Sequence, residues 1–359
     1  MKQKFYLFTC AAMMSFQVKA QLVYYDAVAF PLFGKLSDKT ETRYERLPAS
    51  LKTITRPAVW ELGKNTAGLY IRFASNTTRV GLKWTLTVNR AMNHMTATGV
   101  KGFDLYCFID EKWQFVNSAR PNSSNGSNEA TIVSNMTADE KEFLLYFPLY
   151  DGVKRLEIGI DTASQILPPK QKLPRPENPV ICYGTSILQG GCASRPGMTH
   201  TNILSRWLNR ELINLGFSGN GQLDYEIAEI ISGYKSSLII LDFMPNVTAG
   251  QIRDRMKNFY FIIRKKSPVT PILFIENPIF PQGKFDQTMQ ETIKQKNEVL
   301  RKEFNSLLLS GDKHIRLLSS TEIIGTDGEA TVDGIHFTDL GFMRYANFLY
   351  PYIKMYLDK

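Results

Sequence analysis

Cysteine and histidine are both scarce, with four of each in 359 residues. No CxxC and no HExxH occurs, so neither a dithiol redox motif nor a helical zinc motif can be read from spacing. Past the N-terminus, no apolar run reaches the ~20 residues of a membrane-spanning helix. No basic block exceeds Arg264-Lys265-Lys266, which suits the negative end of a helix dipole, so no nucleic-acid surface is indicated. A hydrophobic content of 43% with 21% charged residues excludes a mostly disordered chain, a collagen-like fibre and a coiled coil. At ~150 residues per domain, the length predicts two to three domains.

The first twenty residues differ from the rest. Lys2 and Lys4 form a basic start, Phe5 to Phe16 is mostly apolar, and Val18-Lys19-Ala20 precedes Gln21. This pattern predicts an export signal over 1–20, cleaved after Ala20, and a periplasmic or secreted mature chain. Leu7-Phe8-Thr9-Cys10 is a poor lipid-attachment site, because Phe8 and Thr9 stand where small residues belong. Losing Lys2, Lys4 and Lys19 lowers the net charge from +9 to +6. Cys107, Cys182 and Cys192 then remain. They are too few for a disulfide framework; they read as small buried hydrophobes, with a Cys182–Cys192 bridge left open.

Five prolines fall between Gln165 and Pro179, which predicts an extended linker over 165–179. Before it, over 21–164, short apolar clusters such as 68–73, 80–88, 103–109, 142–147 and 153–159 alternate with polar turns. That spacing predicts an antiparallel, jelly-roll-like β-sandwich. After it, over 180–359, five short apolar strands alternate with helical stretches at 202–210, 223–231, 251–265, 287–309 and 340–355. That order predicts an α/β domain with a five-stranded parallel sheet covered on both faces. The aromatic residues of the first half read as sandwich core, with a sugar-binding surface as the competing reading.

In open parallel sheets the chemistry lies beyond the carboxyl ends of the strands. There the sequence places Gly184-Thr185-Ser186, then Gly216-Phe217-Ser218-Gly219-Asn220, then Asp242-Phe243-Met244-Pro245-Asn246, and near the end Asp333-Gly334-Ile335-His336. A hydroxyl, mobile glycine backbone, an amide, a carboxylate and an imidazole are the parts of a serine acyl-transfer site. The GxSxG elbow is absent, which argues against an α/β-hydrolase.

These four blocks resemble, in order and in position, those of the SGNH (GDSL-type) hydrolases. Gly184-Thr185-Ser186 resembles Gly-Asp-Ser, Ser218-Gly219-Asn220 the second block, Met244-Pro245-Asn246 the Gly-x-Asn-Asp block, and Asp333-x-x-His336 the last. The likeness covers about 178–350. Gly102-Phe103-Asp104-Leu105-Tyr106 resembles the GxDLY signature of a β domain that precedes some bacterial esterases of this family. Two departures stand out: Thr185 replaces the Asp of the first block, and Met244 and Val247 replace the Gly and Asp of the third.

The resemblance implies a flavodoxin-like fold and a catalytic Ser186, Asp333 and His336. It also implies an oxyanion hole built from the backbone N–H groups of Ser186 and Gly219 and the side-chain amide of Asn246. It implies no metal and no organic cofactor. The competing structural duties are a helix cap for Ser186 and turn chemistry for Gly219 and Asn246. Arg195 and His200, close after the first block, are candidate substrate-binding residues, against a salt bridge and a structural place respectively. Pro245 is expected to bias Met244 toward extended backbone. Asp104 reads as a structural hydrogen-bonding residue. The expected activity is hydrolysis of O-acyl, above all acetyl, esters of carbohydrates. The alternatives are a lipid or lysophospholipid acylhydrolase and a non-catalytic carbohydrate-binding protein.

Overall fold

The computed structural model describes residues 21–171, 178–321 and 323–358. The expected export signal lies outside the described residues.

The N-terminal half is built from two antiparallel sheets. One holds, in spatial order, β1 (Leu22–Asp26), β9 (Val153–Asp161), β4 (Val80–Leu86) and β7 (Ser127–Val133). The other holds β10 (Ile166–Leu167), β3 (Tyr70–Ser75), β8 (Lys141–Tyr146), β5 (Phe103–Ile109) and β6 (Lys112–Ala119), with β2 (Leu32–Phe33) also paired to β3. Aromatic residues close the space between the sheets. Trp84 of β4 meets Phe103 of β5 edge-on at 5.6 Å, and the cross-strand pair Phe73 and Phe143 stacks at 5.1 Å. The expected sandwich core is therefore present. β1, β2, β6, β7 and β10 are not among the runs named from the sequence; β6 and β7 escape that reading because their outer positions are polar and exposed.

The C-terminal half is a five-stranded parallel sheet in the order β12 (Leu212–Gly216), β11 (Val180–Gly184), β13 (Leu238–Asp242), β14 (Ile272–Ile275), β15 (Ile315–Leu318). All five positions of β11, β12 and β13 are buried, as a sheet covered on both faces requires. The chain starts at β11, steps to one side for β12 and then to the other for β13. The strand order therefore reverses at β11, and the crevice at its carboxyl end is the expected ligand site. The covering helices are α3 (Ser186–Gln189), α4 (His200–Leu208), α5 (Tyr225–Ser232), α6 (Ala249–Lys266), α7 (Gln287–Leu309) and α8 (Asp339–Leu357), preceded in the first half by α1 (Pro57–Gly63) and α2 (Ala97–Lys101). No helix among the described residues is long and apolar enough to cross a membrane.

The boundary drawn from composition needs correction at two places. Ile166 and Leu167, assigned to the linker, pair with Ser75 and Ala74 of β3. The backbone N–H groups of Lys170 and Gln171 donate to Glu142 Oε1. Proline content signals extended backbone, and an edge strand is also extended. Second, one stretch ahead of β3 does not serve the sandwich. Leu47, Leu51, Val59 and Trp60 join the core formed by Ile213, Phe217, Ile227 and Phe259 of the α/β half. No disulfide joins the three described cysteines, which are free and buried.

The Gly102–Tyr106 signature proves to be a clamp between the halves. Asp104 is fully buried; its Oδ2 accepts from Arg195 Nη1 at 2.9 Å and from the Gly197 N–H at 2.7 Å, and its Oδ1 accepts from the Ser118 hydroxyl. Tyr106 Oη accepts from Arg195 at 2.7 Å. A Cβ on Gly197 would lie 2.3 Å from that oxygen, so only glycine allows this contact.

Beneath the sheet edge, Asp242 is buried and Tyr345 Oη donates to it at 2.8 Å. Burial pushes its carboxyl up to about 6, against the Tyr345 hydrogen bond. The folded value lies above the unfolded ~3.9, so the native state holds the proton more tightly. Stability from this group is full below about pH 4 and is lost as the pH rises through about 6. Wild-type stability relative to Asp242→Asn should therefore fall by ~2–3 kcal/mol between about pH 4 and pH 7, measured by urea unfolding. A difference that stays level with pH refutes the assignment.

Candidate active site

Register brings the chemistry to one edge. Gly184 pairs with Gly216 on one side and with Asp242 on the other, so the loops leaving β11, β12 and β13 emerge side by side. Ser186 opens α3. Thr185, not Ser186, is the cap: its side chain accepts from the Ile187 N–H at 3.3 Å. This explains the first departure from the family pattern. A capping Thr185 satisfies the helix start and leaves the Ser186 hydroxyl uncommitted.

That hydroxyl meets His336. Ser186 Oγ and His336 Nε2 are 2.9 Å apart, and His336 Nδ1 lies 2.7 Å from Asp333 Oδ2. The other carboxylate oxygen, Asp333 Oδ1, accepts the backbone N–H groups of His336 at 2.8 Å and Ile335 at 3.1 Å. Burial pushes the Asp333 carboxyl up, but the hydrogen bonds from the His336 side chain and from the two N–H groups outweigh it and hold it below its ordinary range. Asp333 thus stays ionised and fixes the ring with Nδ1 protonated and Nε2 facing the hydroxyl. The tight turn that curls the carboxylate back is permitted by Gly334, at φ +89°.

The three oxyanion candidates converge on the same edge. Among the described residues, the backbone N–H groups of Ser186 and Gly219 donate to no protein acceptor. Gly219 has φ +68°, and nothing lies within 4 Å of where its Cβ would be, so the turn there is uncrowded. Asn246 accepts the Gly221 N–H on Oδ1 at 3.2 Å, which aims its NH2 group the other way. Met244–Asn246 form one turn of 3-10 helix, so Met244 is not extended as expected. The Met244 carbonyl accepts from Val247, and that closed turn outweighs the preference imposed by Pro245.

Two candidates belong elsewhere. Arg195 is held by Asp104 and Tyr106, with its guanidinium 3.7 Å from the Phe115 ring centroid, so it serves the clamp and not the substrate. His200 is buried, stacked against Phe342 and 4.7 Å from the Tyr345 ring, and burial holds its imidazole down at about 3. It is a neutral core residue.

Other residues of the site left no signal in the sequence. Tyr150, from the N-terminal half, donates to the Ser186 carbonyl at 3.2 Å. Gln189 donates to the Leu149 carbonyl and accepts the Ser218 N–H at 3.0 Å, tying the Gly219 turn to α3 and to the first half. A Cβ on Gly191 would come within 3.0 Å of His336 Cδ2 and 2.9 Å of Tyr150 Oη. Beside the relay and hydrogen-bonded to none of its members, His94, also from the first half, lies with its ring 5.6 Å from that of His336. Each is an isolated residue whose partner is distant in sequence, so no spacing rule reaches it.

A parallel sheet with its strand order reversed at β11, carrying a Ser–His–Asp relay at that point, defines a serine hydrolase of the SGNH class. The family model of GDSL-like lipases/acylhydrolases matches residues 177–354, and that of the GxDLY N-terminus of SGNH-hydrolase-type esterases matches residues 22–166. The chain belongs to the GDSL-like lipase/acylhydrolase family and is an esterase. A structure from Bacteroides ovatus described as a GDSL-like lipase is 36% identical, with 94% of this chain and 98% of that one covered and a TM-score of 0.89. A salicylyl-acyltransferase from a tetracycline biosynthetic pathway shares the fold at 17% identity, with 93% and 97% covered and a TM-score of 0.74. A family two carbohydrate esterase from Clostridium thermocellum, solved with cellohexaose, shares it at 14% identity, with 81% and 93% covered and a TM-score of 0.57. No curated protein matches the chain.

Proposed function

We propose that this protein is an exported serine esterase that removes O-acyl groups, above all acetyl, from carbohydrates. The observation that carries the chemistry is the unbroken chain from Ser186 Oγ through His336 to Asp333. His336 Nε2 takes the hydroxyl proton as Ser186 Oγ attacks the ester carbonyl carbon. The charge that develops on the carbonyl oxygen is met by the Ser186 and Gly219 N–H groups and the Asn246 amide. Collapse breaks the C–O bond to the alcohol, which leaves with the proton from His336. Water then repeats the sequence on the acyl-enzyme, releasing the carboxylic acid and restoring Ser186. Asp333 holds the ring and stabilises the imidazolium without taking the proton.

The carbohydrate reading is supported by the family two carbohydrate esterases that share the two-part fold, and by the predicted export over 1–20. A screen of acetylated glycans, with Ser186→Ala as blank, tests it. Acetate released from a glycan by wild type alone is the expected result. The lipid alternative takes its support from the relative described as a GDSL-like lipase. A p-nitrophenyl ester series whose kcat/KM rises with acyl length would replace the acetyl reading with that one.

The amide of Asn246 gives a separate test. Asn246→Ala should lower kcat by ~10²–10³ with KM little changed, the loss of one oxyanion donor. Steady-state kinetics on an acetate ester read it. A raised KM with kcat kept would assign Asn246 to ground-state binding.

A further inference from the structure

The mouth of the relay carries two metal-binding side chains that hydrolysis does not use. His94, Cys192, Asp333 and His336 each offer one ligand atom, and these four atoms lie within 4.8 Å of one another. They come from three separate stretches of chain: the loop between β4 and α2, the turn after α3, and the Asp333–His336 turn. This is why no spacing motif announced them.

We propose that these four residues form an inhibitory site for a zinc-class divalent cation, which shuts the esterase reversibly by taking its base and the carboxylate that orients it. The proposal rests on the catalytic reading of Ser186, His336 and Asp333 given above.

The donor set argues for the class of metal. One sulfur, two imidazoles and one carboxylate suit zinc and its borderline-soft relatives, whereas magnesium and calcium take oxygen ligands. His94 has one ring nitrogen to spare. Its Nδ1 lies 2.8 Å from Asn93 Oδ1, which can only accept, so Nδ1 carries the proton and Nε2 the free lone pair. A ligating histidine is commonly held in this way through its other nitrogen. Cys192 is a free thiol with left-handed backbone, φ +71°, in the turn that also carries Gly191 against His336.

Tetrahedral zinc, with bonds of ~2.0–2.3 Å, places its ligand atoms roughly 3.3–3.8 Å apart. The cluster must therefore draw in by up to ~1–1.5 Å. His94 is half-exposed on a loop, so the movement does not disturb the core. On binding, the Cys192 S–H proton passes to water, and the thiolate, carboxylate and imidazoles supply four electron pairs to the cation. The His336–Asp333 hydrogen bond is lost, and Ser186 is left without a base. The metal adds nothing to the hydrolysis itself.

The test separates binding from catalysis. Ser186→Ala protein keeps all four ligands and is titrated with Zn2+ by calorimetry. One ion per chain is expected, weakened at least about tenfold by adding His94→Ala or Cys192→Ser. Co2+ bound in place of Zn2+ should show thiolate-to-metal charge-transfer absorption that Cys192→Ser abolishes. In the otherwise wild-type enzyme, Zn2+ should inhibit hydrolysis of an acetate ester, and a chelator should restore it. His94→Ala should keep basal kcat/KM while needing at least about ten times more Zn2+ for half inhibition. The site is overturned if Zn2+ does not bind at ~100 μM, or if both variants bind it as the parent does. Binding without inhibition of an active enzyme overturns the inhibitory role. An inactive enzyme that still binds Zn2+ through His94 and Cys192 would refute the esterase reading and leave the metal site standing.

Discussion

Ser186→Ala should lower kcat on an activated acetate ester by about 10⁴-fold or more while the protein keeps its fold. The hydroxyl is the only group lost, and alanine is a good residue for the first turn of a helix. Thr185 still caps α3, because the cap never depended on Ser186. Circular dichroism and the urea midpoint should therefore match wild type. His336→Ala should cost about as much, since without the imidazole the proton on Ser186 Oγ has nowhere to go. Asp333→Asn should cost less, because the carboxylate positions the ring and stabilises its charge but carries no proton. Retention of more than about a tenth of wild-type turnover by Ser186→Ala, a loss under ~1.4 kcal/mol, would show that the hydroxyl is not the nucleophile.

Arg46→Met should destabilise the protein by ~3–5 kcal/mol, far beyond an ordinary surface change. Arg46 is 1% exposed and comes from the N-terminal half, yet it binds the end of β12. Its Nη1 donates to the carbonyls of Asn214 and Gly216 at 2.8 and 2.9 Å, its Nη2 to Leu62, and its Nε to Asn65. The guanidinium also lies 5.3 Å from the Phe217 ring centroid. Burial pulls it down to about 9, still charged at neutral pH. Methionine fills much of the space but takes the guanidinium away from the buried carbonyls of Asn65, Asn214 and Gly216, while the Leu62 carbonyl keeps its Asn65 donors. The strand end thus released is the one that carries Ser218 and Gly219, so kcat should fall as well. Lysine would not rescue, because a single ammonium cannot reach carbonyls arranged around a planar fork. The urea midpoint of the purified variant decides it. A loss below ~1 kcal/mol would mean that the site relaxes or admits water to those carbonyls.

The sequence by itself determined the alternation of strand and helix in the second half, the parallel sheet and the four blocks that carry the relay. These were legible because they are local. Continuous apolar runs mark strands buried on both faces, helical periods mark the covers, and chemistry falls at strand ends. Asp333 and His336 sit three residues apart, so their contact is written into one turn. The tertiary structure alone decided which polar residues act and which merely hold. Arg195 and His200 stand as near to Ser186 in the chain as any binding residue could, yet one is spent on Asp104 and the other is stacked in the core. Tyr150, Gln189 and Gly191 matter at the site through contacts with distant segments or across the two halves, and Arg46 matters to the strand end in the same way. A side chain's role depends on what its polar atoms meet once water is excluded, and that is set by packing between segments far apart in sequence. The same reason moved the domain boundary: Leu47, Leu51, Val59 and Trp60 read as part of the β half, but the surface that needed them belongs to the α/β sheet.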